Sequence, residues 1–88
     1  MKKLAEVIEV ENEGLIALLG QPVMLFCLNY IYAGTLSGVN ESCVQLEKAH
    51  IVYETGPLNT AGYKDAQRLP GTVWYVQRNA IESFGLGK

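Results

Sequence analysis

The chain has few of the residues that carry catalysis or bind metals. His50 is its only histidine and Asp65 its only aspartate, and no nucleophile elbow, phosphate-binding loop or metal-ligand spacing occurs in it. His50 lies beside Ile51 in a strand-like stretch, where a histidine is more often structural than catalytic. We therefore expect no enzymatic activity, no metal and no cofactor.

Cysteine is scarce, and long apolar runs are missing. Cys27 and Cys43 lie in apolar stretches, where a buried free thiol is the usual state, and a disulfide framework or zinc site needs more ligands at closer spacing. No apolar run approaches the roughly 18 residues that span a membrane. Glu6, Glu9 and Glu11 interrupt the continuous apolar stretch that a signal peptide requires. We expect a cytoplasmic protein without a membrane partner.

An excess of positive charge is lacking as well. Seven lysines and arginines stand against nine acidic residues, a net charge of −2. This argues against broad binding to a phosphate backbone, which needs a basic patch. The charge is uneven, however, because residues 55–80 carry three cations, Lys64, Arg68 and Arg78, and a single acidic residue. One face can therefore be mildly basic on an acidic protein.

Apolar residues are plentiful, at 49% of the 88 residues, and predict one domain over residues 1–88. A chain this small buries only about 60% of the surface that its unfolded form exposes, so its core is marginal. Self-association is a usual remedy.

Two strand-like stretches, residues 23–28 and 31–39, are separated by a tight turn. Gly34 and Gly38 inside the second indicate sharp bends.

A third long strand is predicted over residues 43–54. Val44 and Leu46 have one parity, and Ala49 and Ile51 have the other, so the alternation shifts near Lys48. Such a shift predicts a β-bulge. Long strands that bend at glycines and bulges favour a strongly curved antiparallel sheet that approaches a small barrel.

The remaining segments are shorter. Residues 2–10 are ambiguous between helix and strand, with their β-branched residues favouring an extended segment. Residues 12–19 predict a short helix with an asparagine N-cap and a glycine after its end. Residues 56–71 form a long loop framed by Gly-Pro and Pro-Gly. Two strands at residues 72–77 and 80–84 follow, and residues 85–88 are predicted to be a tail.

This order of elements resembles the Sm-like (LSm, Hfq-type) family. Residues 15–23 look like its helix leading into the first strand. Residues 32–41, with two glycines before Asn40, look like the first Sm motif, and residues 76–84 look like the second. The resemblance implies a five-stranded, strongly bent, partly open barrel with a short N-terminal helix. It divides the chain into a first motif region at 13–54, a variable loop at 56–71 and a second motif region at 72–84.

The resemblance also implies a ring of identical subunits that binds single-stranded RNA near its central pore. The ring would form through edge strands from Trp74 to Gln77 and from Ala80 to Phe84. The candidate RNA-binding residues of the two motifs are Asn40, Ser42, Gln77, Arg78 and Asn79. Independently of the resemblance, the long loop offers Tyr63 and Arg68, which are able to stack on a base and meet a phosphate; the alternative is a solvated loop with incidental charges. Ser42 falls at the family's base-stacking position. The alternative is a structural or protein-interaction ring that has lost the nucleotide pocket.

Overall fold

The computed structural model describes residues 14–88, which form a single antiparallel sheet of six strands. The strands are β1 (Pro22–Cys27), β2 (Ile31–Val39), β3 (Cys43–Glu54), β4 (Asp65–Arg68), β5 (Val73–Gln77) and β6 (Ile81–Leu86). Their order is β4-β3-β2-β1-β6, and β5 also pairs with β3. The outer edges of β5 and β6 are not joined to each other within the described residues, so the sheet is not closed. The predicted mostly β, antiparallel and partly open architecture is confirmed.

The prediction of five strands is wrong by one, because part of the long loop forms β4. β5 pairs with residues 43–47 of β3, and β4 pairs with residues 50–54 of the same edge. A twelve-residue strand is too long for the five-residue β5 to cover. The backbone groups left over on the second half of β3 need partners, and the residues from Asp65 to Arg68 supply them.

The bulge predicted near Lys48 is present. Ala33 of β2 pairs with His50, whereas Thr35 pairs with Glu47, so β3 has one residue more than β2 between these pairs. Lys48 takes a positive φ of 53°, a left-handed conformation that is uncommon for a residue with a side chain. The extra residue restores the pleat, and residues on both sides of the bulge consequently face the same core.

One face of the sheet carries the hydrophobic core. Leu25, Leu36 and Leu46, from three adjacent strands, have no exposed surface at all. Burying each side chain contributes roughly 1.5–3 kcal/mol relative to leaving it in water. Trp74 of β5 packs against the same cluster.

The short helix predicted over residues 12–19 is not formed. Within the described residues its span contains only a 3-10 turn, Ile16–Leu18. Gly14 has a φ of +75°, which no right-handed helix accommodates, so any helix would have to begin after it and would be too short to be stable. The predicted N-cap, Asn12, and the ambiguous residues 2–10 lie outside the described part of the chain.

The predicted tail at residues 85–88 is instead fixed to the sheet. β6 continues to Leu86, and the amide of Gly87 donates to the carbonyl of Pro22 at 2.8 Å, which extends the ladder with β1. A Cβ on Gly87 would stand 3.1 Å from the backbone of Val23. Only glycine brings the chain this close to β1 without displacing it.

Candidate functional site

The connection between β2 and β3 is a compact turn built on the Asn40 side chain. Its Oδ1 accepts hydrogen bonds from the Ser42 amide (2.8 Å), the Ser42 hydroxyl (3.1 Å) and the Cys43 amide (2.8 Å). The backbone amide of Asn40 in turn donates to the Cys43 carbonyl at 3.0 Å. Three donors occupy this oxygen, so only the carboxamide nitrogen of Asn40 has capacity for a ligand.

The turn between β5 and β6 is bonded directly to that connection. The Arg78 amide donates to the Ser42 carbonyl at 2.9 Å, and the Arg78 Nη1 donates to the Asn40 carbonyl at 2.9 Å. Gln77 lies opposite Cys43 at the end of the β3–β5 ladder. The Asn40–Arg78 corner, as we call the residues 40–42 and 77–79, therefore unites five of the seven candidate residues at one end of the sheet.

Arg78 supplies the positive charge of this corner. Its side chain is exposed, and one of its nitrogens is fixed by the Asn40 carbonyl. Within residues 14–88 it forms no salt bridge to Glu41, to Glu82 or to any other acid. A guanidinium has five N–H donors, so a tether through one of them orients the group and leaves donors facing solvent. This arrangement can receive a phosphate or a nucleobase edge.

The other two candidate residues, Tyr63 and Arg68, do not join the corner. Arg68 pairs with His50 in the second half of the β3 edge. His50 is seven residues along β3 from the partner of Gln77, roughly 23 Å at 3.3 Å per residue. Tyr63 belongs to the long loop, where its hydroxyl accepts from the amide of Lys88 at 3.3 Å. The charge of Arg68 and the aromatic ring of Tyr63 therefore lie on other parts of the surface.

An aromatic hollow that the sequence reasoning missed adjoins the corner. It has a volume of about 340 Å³ and is lined by Cys27, Tyr30, Tyr32 and Tyr75, together with Gln77 of the corner. The rings of Tyr30 and Tyr32 meet edge to face, with centroids 6.3 Å apart and planes at 66°. Tyr30 directly precedes β2 and Tyr32 lies within it, and their spacing of two positions was the available signal.

Burial makes two groups of this hollow harder to ionise. Desolvation raises the pKa of the Cys27 thiol. It also raises the pKa of the Tyr32 phenol, with smaller contributions from Cys27 and Tyr30. Both groups therefore stay protonated at neutral pH, and the hollow can stack a ring but offers no charge.

The two free edges of the sheet carry exposed apolar side chains. On β6, Phe84 lies opposite Leu25 and Leu86 opposite Val23, which places both on the core side of the sheet. Yet Phe84 is 41% exposed and Leu86 is 64% exposed. On β5, Tyr75 is 59% exposed, and its hydroxyl accepts a hydrogen bond from the Gln45 Nε2 at 3.0 Å. Within the described residues no strand covers the outer side of either edge.

The helical turns of residues 14–88 are short, and none has the length and hydrophobicity of a membrane-crossing helix. The same part of the chain contains no cluster of three or more histidine, cysteine, aspartate or glutamate side chains able to hold a metal ion.

In comparisons with known proteins, no family model and no curated protein sequence matches the chain.

Proposed function

We propose that this chain is the subunit of an Sm-like ring that binds single-stranded RNA at the Asn40–Arg78 corner. The observation that carries the proposal is the order of the strands. β5 and β6 lie at opposite edges of one bent sheet, and neither has a partner on its outer side within the described residues. In the Sm-like arrangement, strands in these two positions pair from one copy to the next.

Physical chemistry favours such pairing. An uncovered strand edge exposes a row of unpaired N–H and C=O groups that attract another strand. Joining β5 of one copy to β6 of the next satisfies these two edges, and in a closed ring every copy has both of them covered. The exposed Phe84 and Leu86 then gain a partner surface, which extends a core that is small for one chain of 88 residues.

RNA binding is supported by the position of Arg78. Ring symmetry would bring one Arg78 guanidinium from every subunit to the same side of the assembly. Such a circle of cations creates a local positive potential although each chain has a net charge of −2. The hollow with Tyr30 and Tyr32 lies alongside and offers rings on which a base can stack, an interaction that tolerates any sequence.

Light scattering on freshly purified protein, combined with its ultraviolet absorbance ratio, tests both halves of the proposal. We expect the mass of a closed oligomer, and an absorbance ratio that reports nucleic acid carried through purification. A monomeric mass at all concentrations would refute the ring.

A binding series with oligo-U and oligo-A tests the corner itself. Arg78→Ala should weaken binding and lower the slope of log affinity against log salt by about 0.7 for each phosphate that the protein no longer neutralises. Arg68→Ala is the matched control, because it removes the same side chain roughly 23 Å away along β3. Equal, weak binding by the wild type and both variants at every salt concentration would contradict the RNA-binding role.

The second candidate is a structural or protein-interaction ring that has lost the nucleotide pocket. The observation in its favour is that the turn itself uses the polar groups of the corner. The Asn40 oxygen accepts three local hydrogen bonds, and one Arg78 nitrogen is held by the Asn40 carbonyl. An oligomer free of nucleic acid, with Arg78→Ala indistinguishable from wild type, supports this candidate.

A further inference from the structure

The Lys88 ammonium is enclosed by the backbone of the long loop. Its Nζ donates hydrogen bonds to three carbonyl oxygens, those of Thr55, Pro57 and Gly62, and the last two distances are 2.8 Å. The same nitrogen stands 5.2 Å from the centroid of the Tyr63 ring. An ammonium has three N–H donors, so every one of them has a carbonyl partner.

The backbone conformation of the loop directs these three carbonyls toward the Lys88 ammonium. Gly56 and Gly62 both take positive φ values, +70° and +75°, which glycine adopts without steric cost. The Thr60 amide and hydroxyl both donate to the Pro57 carbonyl, at 3.2 and 2.8 Å, and so fix its direction. The three carbonyls, together with the Tyr63 ring, make a cage that attracts a cation through dipoles and the face of a π-system.

The backbone that carries Lys88 is fixed as firmly as its side chain. The Lys88 amide donates to the Tyr63 hydroxyl at 3.3 Å, and the Gly87 amide donates to the Pro22 carbonyl at 2.8 Å. Residues 87–88, which directly follow β6, are therefore hydrogen-bonded both to β1 and to the loop. The loop has no comparable attachment through Lys64, whose exposed ammonium contacts only the Glu54 carboxylate, at 3.3 Å, within the described residues.

We propose that residues 55–63 form a binding site for a primary ammonium ion, and that Lys88 occupies it as a latch that fastens the loop to the sheet. The geometry selects a compact cation with three donors around one nitrogen. A guanidinium presents its donors in a flat fork and does not match three carbonyls that converge on a point. This inference depends on neither ring formation nor RNA binding.

Chemical rescue of Lys88→Ala tests the proposal. The substitution removes the part of the side chain that n-propylammonium reproduces. Hydrogen exchange of the Thr60 amide, which donates to the Pro57 carbonyl, should accelerate about tenfold or more in this variant, since it removes three charge-assisted hydrogen bonds from the loop. Added n-propylammonium chloride should restore the protection, whereas potassium chloride and tetramethylammonium chloride should not.

Matched variants make the result specific to the cage. Lys64→Ala removes a cation from the same loop and should leave the exchange of the Thr60 amide unchanged. Lys88→Arg keeps the charge and should protect the loop less than the wild type does. Exchange of the β2 and β3 amides, measured in the same samples, reports that each variant is folded.

Three results would overturn the inference. The first is loop exchange in folded Lys88→Ala that equals the wild-type rate. The second is acceleration that n-propylammonium fails to reverse at concentrations the wild type tolerates. The third is equal rescue by potassium, which would show that the cage attracts any small cation and has no preference for an ammonium ion.

Discussion

Gly34 lies against the backbone of Glu47, so closely that a Cβ on Gly34 would stand 2.9 Å from the Glu47 carbonyl oxygen. This close approach occurs where β2 crosses the bulge at Lys48, and the strands cannot approach in this way if residue 34 has a side chain. Gly34→Ala should therefore lower the free energy of unfolding by about 1–3 kcal/mol, the usual range for overpacking against a rigid neighbour. Urea denaturation measures the loss.

Gly38→Ala is the control for this substitution. Gly38 lies in the same strand, but its Cβ would meet only side-chain atoms of Gln45, the nearest at 3.4 Å, an ordinary van der Waals distance. We expect a change of less than about 0.5 kcal/mol, because a small steric cost is offset by the reduced entropy of the unfolded chain. Equal losses in the two variants would show that the approach of Gly34 to β3 does not limit stability.

Lys48 should tolerate glycine better than any β-branched residue. Its φ of 53° lies in the left-handed region, which costs an L-residue roughly 1–2 kcal/mol. Lys48→Gly should therefore raise the free energy of unfolding by up to about 1 kcal/mol, with part of the gain lost to chain entropy, and Lys48→Val should lower it. Glu47→Gly, one residue earlier on the same strand, should only destabilise. Thermal unfolding distinguishes the three, and a loss in Lys48→Gly as large as that in Glu47→Gly would contradict the strain argument.

The sequence predicts elements well wherever the signal is local. The bounds of β2 and β3 follow from runs of β-branched residues between turn residues, and the change of parity around Lys48 indicates the bulge. β4 was missed because Asp65–Arg68 has no apolar alternation and becomes a strand only when it meets the uncovered part of β3. The 12–19 helix was overpredicted because its capping pattern outweighed Gly14, whose positive φ ends any helix that includes it.

The candidate site, like the fold, could be predicted from the sequence only where the signal is local. The turn at Arg78 and the connection at Asn40 are separated by 38 positions, and only the resemblance to the Sm-like family brings them together before the fold is known. Composition suggested Tyr63 as an aromatic partner for RNA, but its hydroxyl and its ring are both engaged by Lys88. Interactions of that kind depend on the path of a long loop, which periodicity does not encode.

Asn40 should tolerate aspartate and not alanine. Its Oδ1 accepts from the amides of Ser42 and Cys43, and a carboxylate oxygen accepts the same bonds with greater strength. Asn40→Ala removes the acceptor and should cost about 1 kcal/mol, as for the loss of other local side-chain caps. Asn40→Asp should keep the stability. Urea denaturation measures both variants, and an equal loss in Asn40→Asp and Asn40→Ala would contradict the capping role of this oxygen.

Alkaline pH should destabilise the fold through Cys27. Burial raises the pKa of its thiol in the folded chain, so the unfolded chain releases the proton first, and the free energy of unfolding falls as pH rises. The fall should begin as the pH rises toward 9.0, the ordinary pKa of this thiol, and be negligible at neutral pH. In Cys27→Ala it should begin higher, near pH 10, where Tyr32 starts to contribute through its own raised pKa. Identical pH profiles for the two proteins, apart from a constant offset, would rule out Cys27 as the source.

A charge on β6 should block self-association without unfolding the subunit. Phe84 is on the core side of this edge strand yet 41% exposed, so a lysine at this position can reach solvent in the monomer, but it must be desolvated when another copy covers the strand. Phe84→Lys should therefore shift the mass measured by light scattering toward the monomer, while hydrogen exchange in β2 and β3 stays at the wild-type rate. Ile16→Lys is the control, because Ile16 is 65% exposed but belongs to the 3-10 turn and not to either free edge strand. Since the two variants add the same charge, a loss of mass in both would indicate a general effect of charge and not an interface at β6.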